Sequence, residues 1–473
     1  MKKIVLECFA CFMVLGFAYA QDGSYDTTFA NNGFLYTTLS PDDEFFYSAA
    51  TSPDGRIAVS GVNFNASDPD HFILMFVEDG SYDFTFGDDG FLINEFNSSF
   101  EKLFFQSNGK LVFGGNPNNQ KIGRLLPNGT LDTAFGVDGF LSVTNEIFLK
   151  VDENDYIYTT STPNTFINVK RFLPNGDTDL DFGDNGMITL TLTDTGNVYP
   201  ARIEALTNGT FFVTYKHETT ESTSWHLAKF LVDGSPDTSF GVDGQTEIDV
   251  NQENYCSAPA FLDETFLVSC SYWDVDIENM VRKTLKFDSS GTLDASFGTN
   301  GVLDGYTATV VQGNQRFIAN SGDVDWEGGA YPFYRRFFSD GTIDNSFQFA
   351  GVPGVLGNYN AMLTNSGKFL VVGNTIWYEG QTEFILSRYN NNPLEVTENS
   401  IASLTVFPNP SSGIFHIESE DRSHLIYSLT DSNGRLLATG VFQNNKKQLD
   451  LSSFASGLYF LNVSGTTMKL IRE

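Results

Sequence analysis

Apolar and polar residues alternate with a period of two through most of the chain, the pattern of strands with one covered face. In the first clear stretch the alternation predicts strands over Phe34 to Leu39, Phe45 to Thr51, Arg56 to Val62 and His71 to Val77. A tight turn at Asp54-Gly55 joins the middle pair, and the same turn chemistry returns at Asn108-Gly109, Asn208-Gly209 and Ser366-Gly367. Gly and Asn supply there the positive φ that a two-residue hairpin demands. No segment of useful length carries a helical period, so the pattern predicts an all-β chain.

A motif separates each group of strands from the next. Its first copy is Asp22-Gly23-Ser24-Tyr25-Asp26-Thr27-Thr28-Phe29 with Gly33, and further copies start at Gly80, Gly129, Gly176, Gly234, Gly291 and Gly341. Three places after the first glycine there is always an Asp: Asp26, Asp83, Asp132, Asp179, Asp237, Asp294 and Asp344. Six places after it there is always a Phe: Phe29, Phe86, Phe135, Phe182, Phe240, Phe297 and Phe347. A second glycine follows ten places on, and the copies recur every 53 residues on average. That period suits one four-stranded blade with its loops, and radial closure would remove the exposed sheet edges that an open array leaves. The expected architecture is a seven-bladed β-propeller of four-stranded blades, closed without a borrowed strand because a fourth strand, Glu383 to Tyr389, follows the last copy's turn.

The repeated residues have a structural reading that needs no ligand. A link of eleven residues easily crosses the roughly 14 Å from the outer strand of one blade to the inner strand of the next. Its Asp is placed to cap the following turn, and its Phe to plug the gap between blades. Calcium is the rival reading, argued from Asp177, Asp179 and Asp181, which alternate before Gly183. The G-x-x-D-x-x-F-G-x-x-G core resembles the delta-60 repeat family, over residues 22–391, and that resemblance implies a propeller without implying a reaction. Ala30 and Gln348 stand where the family has Gly, which implies looser links in the first and last copies.

Both ends of the chain differ from the repeats. Lys2 and Lys3, an apolar run from Ile4 to Phe17 and then Ala18-Tyr19-Ala20 form a signal peptide over residues 1–20, with cleavage expected after Ala20. No other segment has the ~18 apolar residues needed to span a bilayer, so no transmembrane segment is expected in the mature chain. Residues 21–391 hold the repeats, 392–400 read as a polar linker, and 401–473 as a small Ig-like β-sandwich. In that last part Pro408-Asn409-Pro410, Gly413-Ile414-Phe415-His416-Ile417, Asp431-Ser432-Asn433-Gly434-Arg435 and Ser456-Gly457-Leu458-Tyr459 through Val463 follow in order. This order resembles the type A sorting domain of the type nine secretion system. The resemblance implies a secretion-machinery partner, passage across the outer membrane, removal of the tail near the linker, and release or surface attachment.

Charge narrows the partners. The sequence holds 27 basic and 59 acidic residues, a net charge of −32, which repels phosphate backbones and excludes nucleic acid from the expected partners. Of the 4 cysteines, Cys8 and Cys11 leave with the signal, so Cys256 and Cys270 remain as a possible disulfide. A strict two-residue turn at Asp263-Glu264 would set Cys256 against Ser271 with the sulfurs on opposite faces, whereas a bulge or a longer loop would bring them together.

Catalytic signatures are scarce. His71, His217 and His226 lack metal-ligand spacing, and no hydrolase elbow, zincin helix or phosphate loop is present, so no catalytic residue is nominated. One asymmetry stands out. Trp225, Trp273, Trp326 and Trp377 all sit in or beside the link between the third and fourth strands of units four to seven, with carboxylates around them, on the face opposite the repeated loops. Exposed rings beside carboxylates can stack on sugar faces or hold cations. The function expected is a secreted or surface-displayed binding or scaffold propeller with a glycan or protein ligand. The alternatives are a carbohydrate-active hydrolase or lyase using carboxylates on that face, and a structural surface-layer component.

Overall fold

The computed structural model describes residues 21–37, 44–63, 70–96, 99–114, 121–143, 146, 148–161, 165–191, 196–250, 255–262, 264–313, 315–324, 330–354, 356–375, 383–391, 405–418, 426–431, 436–441, 446–463 and 466–473. The signal, its cleavage site and the linker 392–400 lie outside them. The chain divides into two compact units, Met1–Pro393 and Leu394–Glu473. Every regular element among the described residues is a strand.

In the first unit the sheets follow one another along the chain, all antiparallel. The first holds Glu44–Thr51, Ile57–Asn63 and Asp70–Phe76, and its outer edge is Phe91–Ile93, a strand that lies beyond the second motif. The motif is thus a reversing loop and not a crossing link. Its successive turns, with Gly80 N–H on Val77 O, Phe86 N–H on Asp83 O and Gly90 N–H on Phe86 O, use up its length and send the chain back along the strand it has just left. Each outer strand therefore belongs to the following copy of the repeat. Met187–Thr191, Gln245–Ile248 and Val302–Asp304 cover their preceding sheets in the same way.

This phase overturns the expected closure. Phe384–Tyr389 is not an outer edge, because Phe34–Thr37 pairs with it antiparallel, Phe34 opposite Ser387 and Thr37 opposite Phe384. The last sheet borrows its outermost strand from the start of the repeats. Phe72 of the first sheet meets Phe384 of the last edge-on at 5.4 Å, inside a core that also takes Phe29, Leu74, Leu370 and Leu386.

Four of the inner strands share one irregularity. Register slips by one residue between Phe46 and Ser48, Tyr199 and Arg202, Ala308 and Val310, and Leu356 and Tyr359. Bulges of this kind add twist where neighbouring sheets crowd together.

The seven motif loops interlock, and their Asp is the centre of the lock. One carboxylate oxygen takes the N–H two residues on, as at Thr28 (3.2 Å), Thr85 (3.0 Å), Ser239 (3.1 Å) and Ser346 (3.0 Å). The other meets a cation eight positions upstream on the preceding strand: Arg124 with Asp132 at 2.8 Å, Arg171 with Asp179 at 2.6 Å, Lys229 with Asp237 at 2.8 Å, Lys286 with Asp294 at 3.1 Å and Arg336 with Asp344 at 2.7 Å. For Asp26 that partner is Arg388, at the far end of the ring and 2.9 Å away. In the second copy the upstream position is Met75, and Arg56 from the neighbouring strand stands in at 3.8 Å from Asp83. The guanidinium also lies over the motif's buried Phe, at 4.3 Å for Arg124 on Phe135 and 4.6 Å for Arg388 on Phe29.

Each loop also grips the next. The residue after the Phe donates its N–H to the carbonyl that opens the following loop, as Gly87 to Asn128 (2.9 Å), Gly183 to Asp233 (2.8 Å) and Gly298 to Asp340 (2.9 Å). Ala30 to Asp79 at 2.7 Å and Gln348 to Asp22 at 2.8 Å complete the series. The looser end links expected at these two positions are therefore not found: the donor is the backbone amide, which every residue except proline carries, and Ala30 reaches it at φ +42°. Gly80 opens its loop at φ +87°, and a Cβ there would sit 2.8 Å from the Phe29 ring, so glycine is needed twice over.

The second unit has two sheets around one core. Thr405–Phe407, Ile414–Glu418 and Lys446–Asp450 form one, and Leu436–Val441, Ile426–Asp431, Gly457–Val463 and Thr466–Arg472 the other. Phe415, Ile417, Leu429, Leu449, Leu461 and Leu470 fill the space between them. Asn409 of the Pro-Asn-Pro run accepts the Ile471 N–H at 2.9 Å and donates to Lys469 O at 2.6 Å, tying the first strand to the last.

The Asp–cation pairs set the acid limit of the fold. The carboxyls of Asp26, Asp132, Asp237, Asp294 and Asp344 are all held below the usual range. At Asp237 the leading cause is the hydrogen bond from Lys229, and at Asp294 the one from Ser296. At Asp26, Asp132 and Asp344 burial is the largest single influence and pushes upward, but hydrogen bonds and cations together outweigh it. A folded-state value below the unfolded ~3.9 makes each ionised carboxylate stabilising above about pH 4, and that contribution is lost as pH falls through the folded value. Urea unfolding of the mature protein is expected to show stability level near neutrality and dropping below about pH 4. Arg388→Ala leaves Asp26 buried without its principal partner and is expected to cost about 3–5 kcal/mol in the same measurement at neutral pH.

Candidate functional site

The four tryptophans do not form one exposed row. Trp225 stands within Thr223–Phe230, opposite Lys216 on one side and Ile248 on the other, and is 4% exposed. The strand runs past it to Thr223, so the ring falls inside the sheet and packs with Phe266, Cys256 and Cys270 instead of projecting from the link. This corrects the expectation of an exposed ring there. Trp273 is 38% exposed, one residue from the end of Thr265–Asp274, with exposed Val275 and Ile277 in the turn beside it. Trp326 and Trp377 lie outside the described residues.

Cys256 and Cys270 form a disulfide, with S–S 2.12 Å. Cys256 faces Cys270 while Ala260 faces Leu267, so the pairing slips by one residue between them, and that bulge puts both sulfurs on one face. The bond holds the two-residue strand Tyr255–Cys256 to the sheet. Tyr255 in turn packs edge-on against Trp225 at 5.9 Å and carries the Arg202 guanidinium on its other contacts, at 4.7 Å from the ring and 2.7 Å from the hydroxyl.

A cleft of roughly 560 Å³ opens between the seventh motif, at Gly351, and the link before Tyr334. It arises where the repeat is irregular. Among the described residues the sheet of Thr307–Gln312, Arg316–Asn320 and Tyr334–Phe338 has no outer strand, and Gln348 to Gly351 does not make the turn that the other copies make. The link before Tyr334 instead forms a short hairpin, Asp323–Val324 with Ala330–Tyr331, which pairs onto the next inner strand through Ala330 and Leu356. Tyr331 (47% exposed) and Phe333 (42% exposed) line the cleft with Tyr306 and Arg335, whose guanidinium lies 5.5 Å from the Phe333 ring. None of the described lining residues is acidic. The sequence pattern gave no sign of Tyr331, Phe333 and Arg335 as a group, and the one available signal was the long aromatic link that also carries Trp326.

The calcium reading finds its carboxylate already engaged. Asp179 is bound to Arg171 and to the Asp181 N–H at 3.3 Å, and Asp177 takes the Asn175 side-chain amide at 2.8 Å. Strand pairing brings His217 and His226 to 6.3 Å, a proximity hidden in the sequence, and His226 shares a hydrogen bond with Ser224 at 2.7 Å. Among the described residues no three His, Cys, Asp or Glu side chains converge to hold a metal ion. No described helix is long and apolar enough to cross a membrane.

Two family profiles match the chain. Residues 405–473 match a secretion system C-terminal sorting domain, and residues 106–135 and 364–392 match a domain of unknown function (DUF5122) beta-propeller. The chain is a β-propeller protein with a type nine secretion sorting tail. The tail directs this propeller protein through that secretion machinery to the cell surface or the medium. No curated protein matches it. Among solved structures it is similar to a protein of unknown function from Dyadobacter fermentans, at 9% identity and TM-score 0.39, covering 76% of this chain and 98% of that one. It is also similar to the polysaccharide lyase Uly1, at 7% identity and TM-score 0.45, covering 80% and 94%. A fungal alcohol oxidase of the AA5 family gives 11% identity and TM-score 0.42, covering 93% and 100%.

The disulfide makes the thiol content of the propeller protein a simple readout. Thiol titration of the secreted, denatured protein is expected to find no free thiol before reduction and two after it, from Cys256 and Cys270. Free thiol before reduction would show the pair open.

Proposed function

We propose that the first unit is a seven-bladed propeller, displayed or released by an Ig-like sorting domain, and that it binds a glycan in the cleft of Tyr306, Tyr331, Phe333 and Arg335. The observation that carries the reading is the pairing of two half-exposed rings with a guanidinium in a concave site. Aromatic faces match the C–H faces of sugar rings, and the guanidinium supplies hydrogen bonds to hydroxyls or acids. Trp326 belongs to the same link. A hydrolase or lyase would need a pair of carboxyl groups roughly 5–9.5 Å apart beside the bound sugar. Among the described cleft residues there is no such pair.

Phe333→Ala and Tyr331→Ala are each expected to lower affinity for a retained polysaccharide by about tenfold without changing the melting temperature. Retention on a panel of neutral and acidic polysaccharides measures this. Equal retention of wild type and both variants across the panel would remove the cleft from the function. Release of reducing ends would move the reading to the enzyme, and self-association without glycan retention to a surface-layer component.

A further inference from the structure

In a chain of net charge −32, two cations on the inner strands make no close ion pair with a carboxylate among the described residues, although Glu101 lies beside the first of them. They are Lys102, at the start of Lys102–Phe105, and Arg202, in Asn197–Ala205. Their relative placement follows from strand alternation. Lys102 points with Phe104, two residues on, and Arg202 with Glu204. Lys150, from the inner strand Phe148–Val151 between them, lies 5.8 Å from the Phe104 ring and 2.5 Å from the Glu204 carboxylate. Lys102, Phe148 and Arg202 therefore occupy one sector of the inner wall, a step nearer the link face than Lys150. Glu204 is neutralised by Lys150 and is not available to the pair above it.

Arg202 is also held in place. Its guanidinium stacks on Tyr255 and donates from Nη2 to the Tyr255 hydroxyl, and its Nε has no hydrogen-bond partner. Behind Tyr255 stand the Trp225 ring and the strand fixed by the disulfide. Such backing orients a charged fork before any ligand arrives. The Lys102 side chain is exposed, yet the strands crowding around it push its ammonium below the ordinary lysine range, and the positive charge of Arg202 pushes the same way, against Glu101. That mutual effect is what a nearby anion would relieve.

We infer that Lys102 and Arg202 form an oxyanion-binding site on the inner wall of the propeller, taking a carboxylate, sulfate or phosphate group. The site is separate from the aromatic cleft and does not depend on its role. A carboxylate or sulfate meets an arginine fork with two parallel hydrogen bonds, and the lysine adds a point charge from the neighbouring sector.

Isothermal titration of the mature full-length protein at low ionic strength tests the site, with sodium sulfate, sodium glucuronate and neutral glucose as probes. Sulfate or glucuronate is expected to bind and glucose not. Arg202→Gln and Lys102→Gln are each expected to weaken the bound anion about tenfold to a hundredfold. Tyr255→Phe, which keeps the ring and removes the hydroxyl that orients Arg202, is expected to give a smaller loss. Arg202→Lys should recover part of the affinity, and melting curves of all variants check that they are folded. Glucuronate binding tighter than sulfate would point to an acidic sugar as the source of the anion, and equal binding to a bare oxyanion. The inference fails if neither anion binds wild type, or if both bind the folded Lys102→Gln/Arg202→Gln double variant as well as wild type. Phe333→Ala is expected to leave anion binding intact, so failure of the glycan cleft and failure of this site read out separately.

Discussion

The buried pair of Asp26 and Arg388 joins residues 362 positions apart, and the first unit closes through it. The same contact recurs loop after loop, so one chemical idea serves both as local cap and as long-range clasp. The carboxylate satisfies turn amides with one oxygen and a cation with the other, and the cation's flat face covers the loop's Phe. Each component would be poorly placed alone: a buried charge without its partner loses solvation that nothing replaces. Together they turn a polar loop into something that can be packed like core.

The ring tolerates variation where the chemistry can be supplied from another direction. Met75 lacks the charge its counterparts carry, yet Arg56 approaches Asp83 from the adjoining strand, while Lys110, Arg316 and Lys368 back up the cations in their own loops. Backbone contacts are still less demanding, since Ala30 and Gln348 make the bonds of the glycines they replace. The loop of Gln348 to Gly351 departs further, and the aromatic cleft lies beside it. Regularity therefore marks the frame, and departures from it mark the places where surface becomes available.

Much of the frame was legible because it repeats. Period-two alternation gave the strands, and the fixed spacing of Gly, Asp and Phe gave the loops, since identical turns impose identical residues. The phase was not legible. Whether a motif crosses between sheets or doubles back depends on how many residues its turns consume, and the turns are set by amide bonds that no side chain advertises. Trp225 misled for a related reason: a ring near a strand end reads as exposed until the strand's true length is known. The candidate sites were hidden more deeply, because Tyr255 meets Arg202 and Lys150 meets Glu204 only after neighbouring sheets are assembled. Cys256 and Cys270 lay between these cases, with a sequence that posed the choice of register and a bulge that made it.

The borrowed strand Phe34–Thr37 has a kinetic meaning as well as a geometric one. Arg171 and Asp179 find each other across 8 residues, whereas Arg388 and Asp26 must close a loop of 362, which costs about 3 kcal/mol more in chain entropy. Contacts of such separation form late in folding. The last sheet cannot be completed until the opening strand and the far end of the repeats are present together. The closing strand thus makes completion of the first unit depend on both ends of the repeats at once.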